Sequence, residues 1–502
     1  MKKQEIERLI EIEKRIKEIA EASGLLTTEI TFEITTAQRV LEGMAYGFPV
    51  NFSHWTFGRD YEKYRTIYEH TGAGIPYEQV WNFDKPKAFL VETNPFALNI
   101  LILAHVYGHV DFFLANRYLK HGRSFSNVAE EARNASKRFK EYEARYGQKE
   151  VEKIIDAGMS IQWHQNPDPF FEEQDEEIVR ERLMAFERAE LERFEDVRSK
   201  FKKPETEQEI EQIEKMLEKL SVRTPPEPTY DILDYIIKKS PKPLKPWMID
   251  VLTVIRNQAR SLAPNRKTKG LDEGWATYWH VRIMRQLFQE GLITPEEHGT
   301  FNDFHSGVTR EKRAGFNWYR IYLALFENIK ERWDKGQFGR EYEEEKNAFK
   351  HSRWDTAAGL GNQKIFEVRS FYSDRMAVEE FFTDEFIREQ QLYIWAGLSG
   401  KNDDGEIVYV IVEDDPEVIR DILKEQFTYY GVPLVRVENG NHNSQNHLLL
   451  KHIWNGYELD PKYMNAALEK IHHLWGKRVF LETRVEEKDV VATFDHIDKK
   501  RK

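Results

Sequence analysis

The stretch from Pro95 to Val110 constrains the fold more than any other part of the sequence. It contains no Asp, Glu, Lys or Arg, so it offers no charged face to solvent. A helix that spans a membrane needs about 20 apolar residues, and this stretch is shorter and carries Asn99 and two histidines. It therefore predicts a buried helix and no membrane span.

Helical periodicity dominates the chain up to about residue 385. Apolar residues recur at helical spacing over residues 4–22, which predicts a surface helix there. Glu29 to Thr35 alternates between polar and apolar residues and predicts a short strand. Glu207–Leu220 is a highly charged helix that ends at the proline-rich segment beginning at Thr224.

The pattern changes after about residue 390, where short apolar runs alternate with helical segments. We expect a mainly α fold with a C-terminal α+β module whose sheet is antiparallel or mixed. The predicted domains are a helical body over residues 1–388 and a small module over 389–502. The predicted strands are Leu392–Ala396, Val408–Val412, Leu434–Val437 and Val479–Glu482, and the predicted helices are Pro416–Gln426 and Pro461–Trp475.

Charge and cysteine content exclude several classes of protein. The net charge of −12 argues against a general binder of nucleic acid or anionic membrane, because like charges repel. The chain has no cysteine, which excludes disulfides, cysteine-ligated zinc, iron–sulfur clusters and thiol nucleophiles. Its N-terminus predicts an amphipathic helix rather than a signal peptide, since no apolar core follows the lysines. We expect a cytoplasmic protein.

His105 and His109 are the first residues that indicate chemistry. They are four positions apart on the predicted buried helix, so both imidazoles lie on one face. The same spacing binds zinc in the His-Glu-x-x-His helix of zinc proteases. Here Val106 occupies the position of the glutamate that acts as the base. Two core histidines paired with polar neighbours explain the spacing about as well as a metal does.

A second segment, Leu271–His280, favours the metal. It looks like the Asn-Glu-Gly-Phe-Ala stretch that supplies the glutamate ligand in gluzincin aminopeptidases. We therefore predict a zincin-like body in which His105, His109 and Glu273 bind a divalent ion, with zinc as the expected metal. His280 lies about 10 Å along the axis from Glu273, so we expect it to support the ligands or contact substrate. An ordinary buried helix with a paired carboxylate is the alternative.

Other residues could complete the site. Because Val106 cannot act as a base, that role would pass to Asp272, Glu92 or His54. A cationic stretch without carboxylates precedes Asp272 and could orient an anionic or peptide-like substrate; ion pairs with the acidic surface explain it equally well. The predicted substrate-binding residues are Arg256, Arg260, Lys269 and Asn94.

Six long segments of the chain form a recognisable pattern. They are Ser53–Arg59 (SHWTFGR), Pro86–Asn94 (PKAFLVETN), Ala104–Phe113 (AHVYGHVDFF), Thr268–His280 (TKGLDEGWATYWH), Ala324–Asp334 (ALFENIKERWD) and Phe366–Tyr372 (FEVRSFY). With these segments the chain resembles the SpoVR (stage V sporulation protein R) family, and the resemblance runs from about residue 30 to 480. The family name implies a link to sporulation and spore cortex formation, although its members also occur in bacteria that do not sporulate. The resemblance implies a cellular context but no reaction.

The chain departs from the family pattern at three places. Asn257 and Gln258 follow Arg256 where members usually have two glutamates, Asp272 stands where Asn is usual, and Phe57 stands where His is frequent. These departures put any acid–base assignment in doubt and leave the three predicted metal ligands unchanged.

Two hypotheses follow. The first is a metal-dependent hydrolase of an amide bond, in a cell-envelope precursor. The second is a non-enzymatic scaffold or regulatory protein that retains a metallopeptidase-like pocket while its C-terminal module binds a partner protein. The missing glutamate at Val106 favours the second hypothesis, and the assembled ligand set favours the first.

Overall fold

The computed structural model describes residues 2–46, 54–70, 78–83, 85–123, 128–166, 168–172, 174–200, 204–312, 315–401 and 407–494. Ser53, which begins one of the segments that resemble the family, lies outside these residues. The chain divides into two compact units, each built from two separate segments. The first unit consists of Met1–Ala132 and Ser261–Tyr430, and the second of Arg133–Arg260 and Gly431–Lys502.

The elements before residue 268 are mainly helical. In chain order they are α1 (Lys3–Ala22), β1 (Thr31–Thr35), α2 (Ala37–Tyr46), α3 (Trp55–His70), β2 (Glu78–Trp81), β3 (Lys87–Val91), α4 (Phe96–Ala115), α5 (Arg117–Arg123), α6 (Val128–Tyr146), α7 (Gln148–Ile161), α8 (Glu176–Lys200), α9 (Pro204–Val222), α10 (Ile232–Lys239) and α11 (Pro246–Lys267).

The remaining elements complete both units. They are α12 (Lys269–Gln289), α13 (Pro295–Val308), α14 (Trp318–Lys335), α15 (Arg340–Glu343), α16 (Ala348–His351), α17 (Gly361–Phe371), α18 (Asp374–Phe381), α19 (Asp384–Glu389), β4 (Ile394–Lys401), β5 (Ile407–Glu413), α20 (Pro416–Tyr429), β6 (Val435–His442), β7 (His447–His452), α21 (Pro461–Trp475), β8 (Val479–Val485) and β9 (Lys488–Phe494).

Helix α4 lies in the core of the first unit. It is long and apolar enough to cross a membrane by length and composition alone, but 94% of its most apolar window is buried inside the protein. One side packs against α1, α12 and α17, and the other packs through Ile102 and Val106 against Ala88 and Leu90 of β3. The predicted buried helix is confirmed.

Small residues bring α4 and α12 into close contact. A Cβ atom added to Gly108 would lie 2.6 Å from the Cα atom of Ala276, which is closer than two such atoms can approach. The opposite side of α12 is equally tight, since Gly270 and Gly274 lie against Tyr322 of α14. Helix α12 is therefore held at short distance between α4 on one side and α14 on the other.

A three-stranded sheet borders α4. Its order is β1-β3-β2, with β1 parallel and β2 antiparallel to β3. The central strand β3 is largely buried, as expected of a strand packed against an apolar helix. Strand β2 forms one edge of the sheet, and its first residue is Glu78.

The second unit contains a mixed four-stranded sheet of order β6-β7-β8-β9, in which β7 and β8 are parallel and the other pairs are antiparallel. The prediction of a mainly helical chain with a C-terminal α+β region is confirmed at this level. Strands β4 and β5 pair with each other, and they belong with α20 to the first unit. The predicted domain boundary between residues 388 and 389 stays a prediction, and the two compact units do not divide there.

Candidate metal site

Three side chains from α4 and α12 converge inside the first unit. Nε2 of His105 lies 3.1 Å from Nε2 of His109, and Oε2 of Glu273 lies 3.6 Å from each of these nitrogens. A tetrahedral zinc ion with bonds of about 2.0–2.1 Å separates its ligand atoms by roughly 3.4 Å. The triangle therefore has the dimensions of one face of such a site. Among the described residues it is the one group of this kind.

Asp272 orients His109. Its Oδ1 lies 2.7 Å from Nδ1 of His109, so Nδ1–H donates to the carboxylate and Nε2 faces Glu273. This is the common arrangement of a metal-binding histidine supported by a carboxylate. Burial opposes a charge on His109, but the charges of Asp272 and Glu273 outweigh it and raise the pKa of His109 to about 9. Burial raises the pKa of Asp272.

A chain of imidazoles orients His105. Its Nδ1 lies 2.9 Å from Nδ1 of His280, and Nε2 of His280 lies 3.1 Å from Nδ1 of His305. If His105 presents a lone pair at Nε2, its Nδ1–H donates to His280, and the Nε2–H of His280 donates to His305. Burial and the neighbouring imidazoles hold the pKa of His280 well below its usual value, so neutral rings fit this pattern.

The charge on Glu273 is supported from two sides. Burial alone would raise its pKa, but contact with His105 and the charges of Lys269 and His109 hold the pKa well below its usual range. Nζ of Lys269 lies 3.0 Å from Oε1, which leaves Oε2 toward the histidines. The hydroxyl of Tyr319 also hydrogen-bonds Glu273, and the charge on Glu273 raises the pKa of Tyr319. An ionised carboxylate at this position is suited to bind a cation.

These groups open into a cavity of about 810 Å³ in the first unit. Of the predicted residues, it is lined by His105, His109, Lys269, Asp272, Glu273 and His280. It is also lined by three residues that sequence reasoning missed, Glu78, His305 and Tyr319. Burial and, to a smaller extent, the charge of Glu273 raise the pKa of Glu78, while the charges of His105 and His109 lower it. No motif in the sequence marks these three residues.

Five predicted residues lie outside the lining of this cavity, and Glu92, Asn94 and His54 are three of them. Glu92 is exposed, and the side chain of Asn94 donates to Oδ1 of Asn99 at 3.2 Å. One helix running from Glu92 to His105 would place Glu92 and Asn94 near the two histidines, but α4 begins after Pro95. His54 is buried, and its Nδ1 lies 2.7 Å from the hydroxyl of Thr56.

The predicted cationic stretch is divided between the two units. Arg256 and Arg260 belong to the second unit, where Nε of Arg256 lies 2.7 Å from a carboxylate oxygen of Asp231. Lys269 belongs to the first unit and is the member of the stretch that lines the cavity. Arg256 thus forms an ion pair, which is the alternative to substrate binding for this cationic stretch.

A buried ion pair fixes how α4 and α12 cross. Asp111 accepts hydrogen bonds from the backbone N–H of Leu26 at 2.7 Å, the indole N–H of Trp275 at 2.7 Å and the guanidinium of Arg369 at 2.8 Å. Asp111 follows His109 by two residues, and Trp275 follows Glu273 by two. The same contacts that tie the helices together therefore set the distance between the ligands.

Asp374 caps the first turn of α12. Its two carboxylate oxygens accept from the backbone N–H groups of Gly270 and Leu271, each at 2.8 Å. These N–H groups have no partner within the helix, so a cap is needed where the helix start is buried. Burial raises the pKa of Asp374 to about 7, against the lowering effect of the two hydrogen bonds.

Comparison with known proteins gives matches along nearly the whole chain. Residues 3–432 match the family described as SpoVR like protein, and residues 433–486 match the SpoVR-like C-terminal domain. An Escherichia coli (strain K12) relative, described as uncharacterized protein YcgB, is 25% identical over 481 residues, which cover 94% of this chain and 91% of the relative. No solved structure matches.

Proposed function

The chain belongs to the SpoVR family, and on that premise we propose that it is a zincin-like, metal-dependent hydrolase that cleaves an amide bond. The family is linked to sporulation. The observation that carries the proposal is the triangle formed by His105, His109 and Glu273. Three protein ligands leave one position of a tetrahedral ion open, as in catalytic zinc sites.

The donor atoms are suited to zinc. Two imidazole nitrogens and one carboxylate oxygen form a ligand set that zinc uses in hydrolases. Because the pKa of His109 is raised to about 9, an ion that binds at neutral pH displaces a proton from this imidazole. A divalent ion bound there would lower the pKa of a water molecule and polarise a carbonyl oxygen. The contacts of Asp272 and His280 support the assignment, because each holds a histidine ring with its Nε2 atom toward the site.

We assign the general base to Glu78. Val106 cannot take a proton, and Asp272 already accepts a hydrogen bond from His109. Glu78 lines the same cavity as the ligands, and burial raises its pKa. A base is most effective when its pKa lies near the working pH, so the direction of this shift suits the role.

Tyr319 is the companion donor in this scheme. Its hydroxyl hydrogen-bonds Glu273 and it lines the cavity. The raised pKa keeps the phenol protonated, so it can donate to an oxygen that gains negative charge during amide cleavage. The proposed substrate is a cell-envelope precursor, and it is inferred from the family's link to sporulation.

The test begins with protein purified without added metal. Elemental analysis and a chelator titration measure whether one divalent ion binds per chain. Hydrolysis of a library of acyl peptides is then followed by mass spectrometry with and without zinc. We expect Glu78→Gln to retain the ion and lose turnover by 10²-fold or more. Failure of the parent to bind any divalent ion would overturn the proposal.

A scaffold or regulatory protein is the second candidate, and Val106 is the observation that favours it. The two functions predict different results in the same experiment. A scaffold with a structural ion would bind metal tightly and show no hydrolysis with any peptide. In that case Glu78→Gln would keep the metal content of the parent, and neither protein would hydrolyse any peptide.

A further inference from the structure

A second cavity adjoins the metal cavity within the first unit. Its volume is about 600 Å³. The two cavities share four lining residues, Arg310, Glu311, Lys312 and Asn317. A molecule bound at the metal site can therefore extend past this shared wall without leaving the protein surface.

The shared wall is held in place by Asn317, whose side chain is nearly fully buried. Its Nδ2 donates to the backbone carbonyl oxygens of Val308 at 2.7 Å and Arg310 at 2.8 Å. These bonds fix the segment that leaves the end of α13. The cationic side chains that follow Val308 are thus carried by an anchored backbone.

The two cavities differ in charge. The lining of the metal cavity contains four carboxylates, Glu78, Asp272, Glu273 and Glu311, against three cations, Lys269, Arg310 and Lys312. The lining of the second cavity contains one carboxylate, Glu311, against three cations, Arg310, Lys312 and Arg320. In the part of the chain that the structure describes, no ion pair involves Arg310, Lys312 or Arg320. The second cavity therefore attracts an anion.

Aromatic rings form the rest of the second cavity. Phe316, Tyr393, Trp395 and Tyr409 line it, and the rings of Tyr393 and Trp395 lie 6.4 Å apart between centroids. Such rings pack well against the aliphatic part of a side chain, while cations beside them bind its charged end. Planar guanidinium groups pair with carboxylates through two parallel hydrogen bonds.

We propose that the second cavity is a specificity subsite that binds the acidic side chains of a peptide substrate whose amide bond lies at the metal site. This inference rests on the proposed function for the position of the scissile bond. It assigns the anion-binding role to Arg310, Lys312 and Arg320, which lie far along the chain from the predicted Arg256 and Arg260.

Peptide binding tests the subsite separately from catalysis. The probes are fluorescein-labelled tetraglutamate and tetraglutamine, and their anisotropy is measured with the full chain at low ionic strength. We expect tetraglutamate to bind at least tenfold more tightly than tetraglutamine, and its affinity to fall as salt is added. Arg320→Gln and Lys312→Gln should each weaken tetraglutamate binding about tenfold and leave tetraglutamine unchanged.

The matched control is Arg353→Gln, which removes one positive charge from an exposed position outside both cavities. It should bind tetraglutamate as the parent does, and circular dichroism shows whether each variant is folded. Equal affinity for the two peptides, or equal losses in Arg320→Gln and Arg353→Gln, would overturn the subsite. Displacement of tetraglutamate by pyrophosphate at lower concentration than by unlabelled tetraglutamate would also overturn it, in favour of a phosphate ligand.

His109→Gln distinguishes the two proposals. It should lose the metal and any hydrolysis yet bind tetraglutamate within twofold of the parent, because His109 does not line the second cavity. If the parent binds no metal but discriminates between the peptides, the proposed hydrolase fails and the anionic subsite stands. If the parent binds metal and does not discriminate, the subsite alone fails.

Discussion

Oδ1 of Asp272 lies 2.7 Å from Nδ1 of His109, and Glu273, the next residue, is the third member of the triangle that it forms with His105 and His109. One turn of α12 thus supplies both a member of this triangle and the group that orients His109 on α4. Any shift of α12 would therefore change two sets of distances together, the one from Asp272 to His109 and those from Glu273 to the two histidines.

Removal of a ligand should abolish stabilisation by metal. Binding adds RT ln(1 + [L]/Kd) to the free energy of unfolding, about 3 kcal/mol at a hundredfold excess over Kd. The parent should therefore melt at a higher temperature with zinc than with chelator, and His109→Gln and Glu273→Gln should melt alike in both. Differential scanning calorimetry measures this, with His351→Gln as the control that keeps the response. A parent that is shown to start free of metal and ignores both additives contradicts the metal site.

Asp272→Asn should weaken metal binding without removing a proposed ligand. Loss of a carboxylate partner of a metal-binding histidine lowers affinity by about 10- to 100-fold. Competition with a chromogenic chelator measures the affinity, and Asp303→Asn on α13 is the surface control. An unchanged affinity would show that Asp272 does not orient a bound ligand.

Gly108→Ala should separate α4 from α12. The added methyl group would lie 2.6 Å from the Cα atom of Ala276, and overpacking of this kind costs about 1–3 kcal/mol. Metal affinity should fall as well, because the ligands lie on the two helices that are forced apart. Urea unfolding measures the stability. Gly299→Ala on α13 is the matched control, since an added Cβ there meets nothing within 4 Å; equal behaviour of the two variants would contradict the prediction.

The pH dependence of stability should change in Asp374→Asn. Burial raises the pKa of Asp374 to about 7, above about 3.9 in an unfolded chain. The folded protein therefore favours the protonated form. The contribution of this form to the free energy of unfolding is complete below pH 4 and is lost as pH rises through 7. The loss is at most about 4 kcal/mol.

Asparagine in place of Asp374 cannot ionise, so the variant should lose less stability than the parent between pH 5 and pH 8. Urea unfolding at both values, with chelator present throughout, measures the difference between variant and parent. Parallel pH profiles would show that Asp374 does not titrate in this range.

The grouping of His105, His109 and Glu273 could be predicted because its signals are local. The spacing of His105 and His109 and the segment around Glu273 are visible in short windows of sequence, and helical geometry places them on defined faces. Glu78, Tyr319 and His305 could not be predicted in this way. Each comes from a different element, and only the packing of β2, α13 and α14 around the ligands brings them to one cavity.

The prediction for Glu92 shows the limit of counting along the chain. Helical turns counted back from His105 would place Glu92 near the histidines, but the helix begins after Pro95 and Glu92 directly follows β3. Arg256 and Lys269 illustrate the same limit. They are close in sequence, and the structure assigns them to different compact units.

The first unit is assembled from two chain segments, and this order has a consequence during synthesis. Asp272 is translated 163 residues after its partner His109, which takes a ribosome about 8–33 s at 5–20 residues per second. During that interval the apolar surface of α4 has no α12 to cover it, and the two histidines lack Asp272 and Glu273 beside them. The nascent chain therefore passes through a stage in which its most apolar helix needs protection from aggregation.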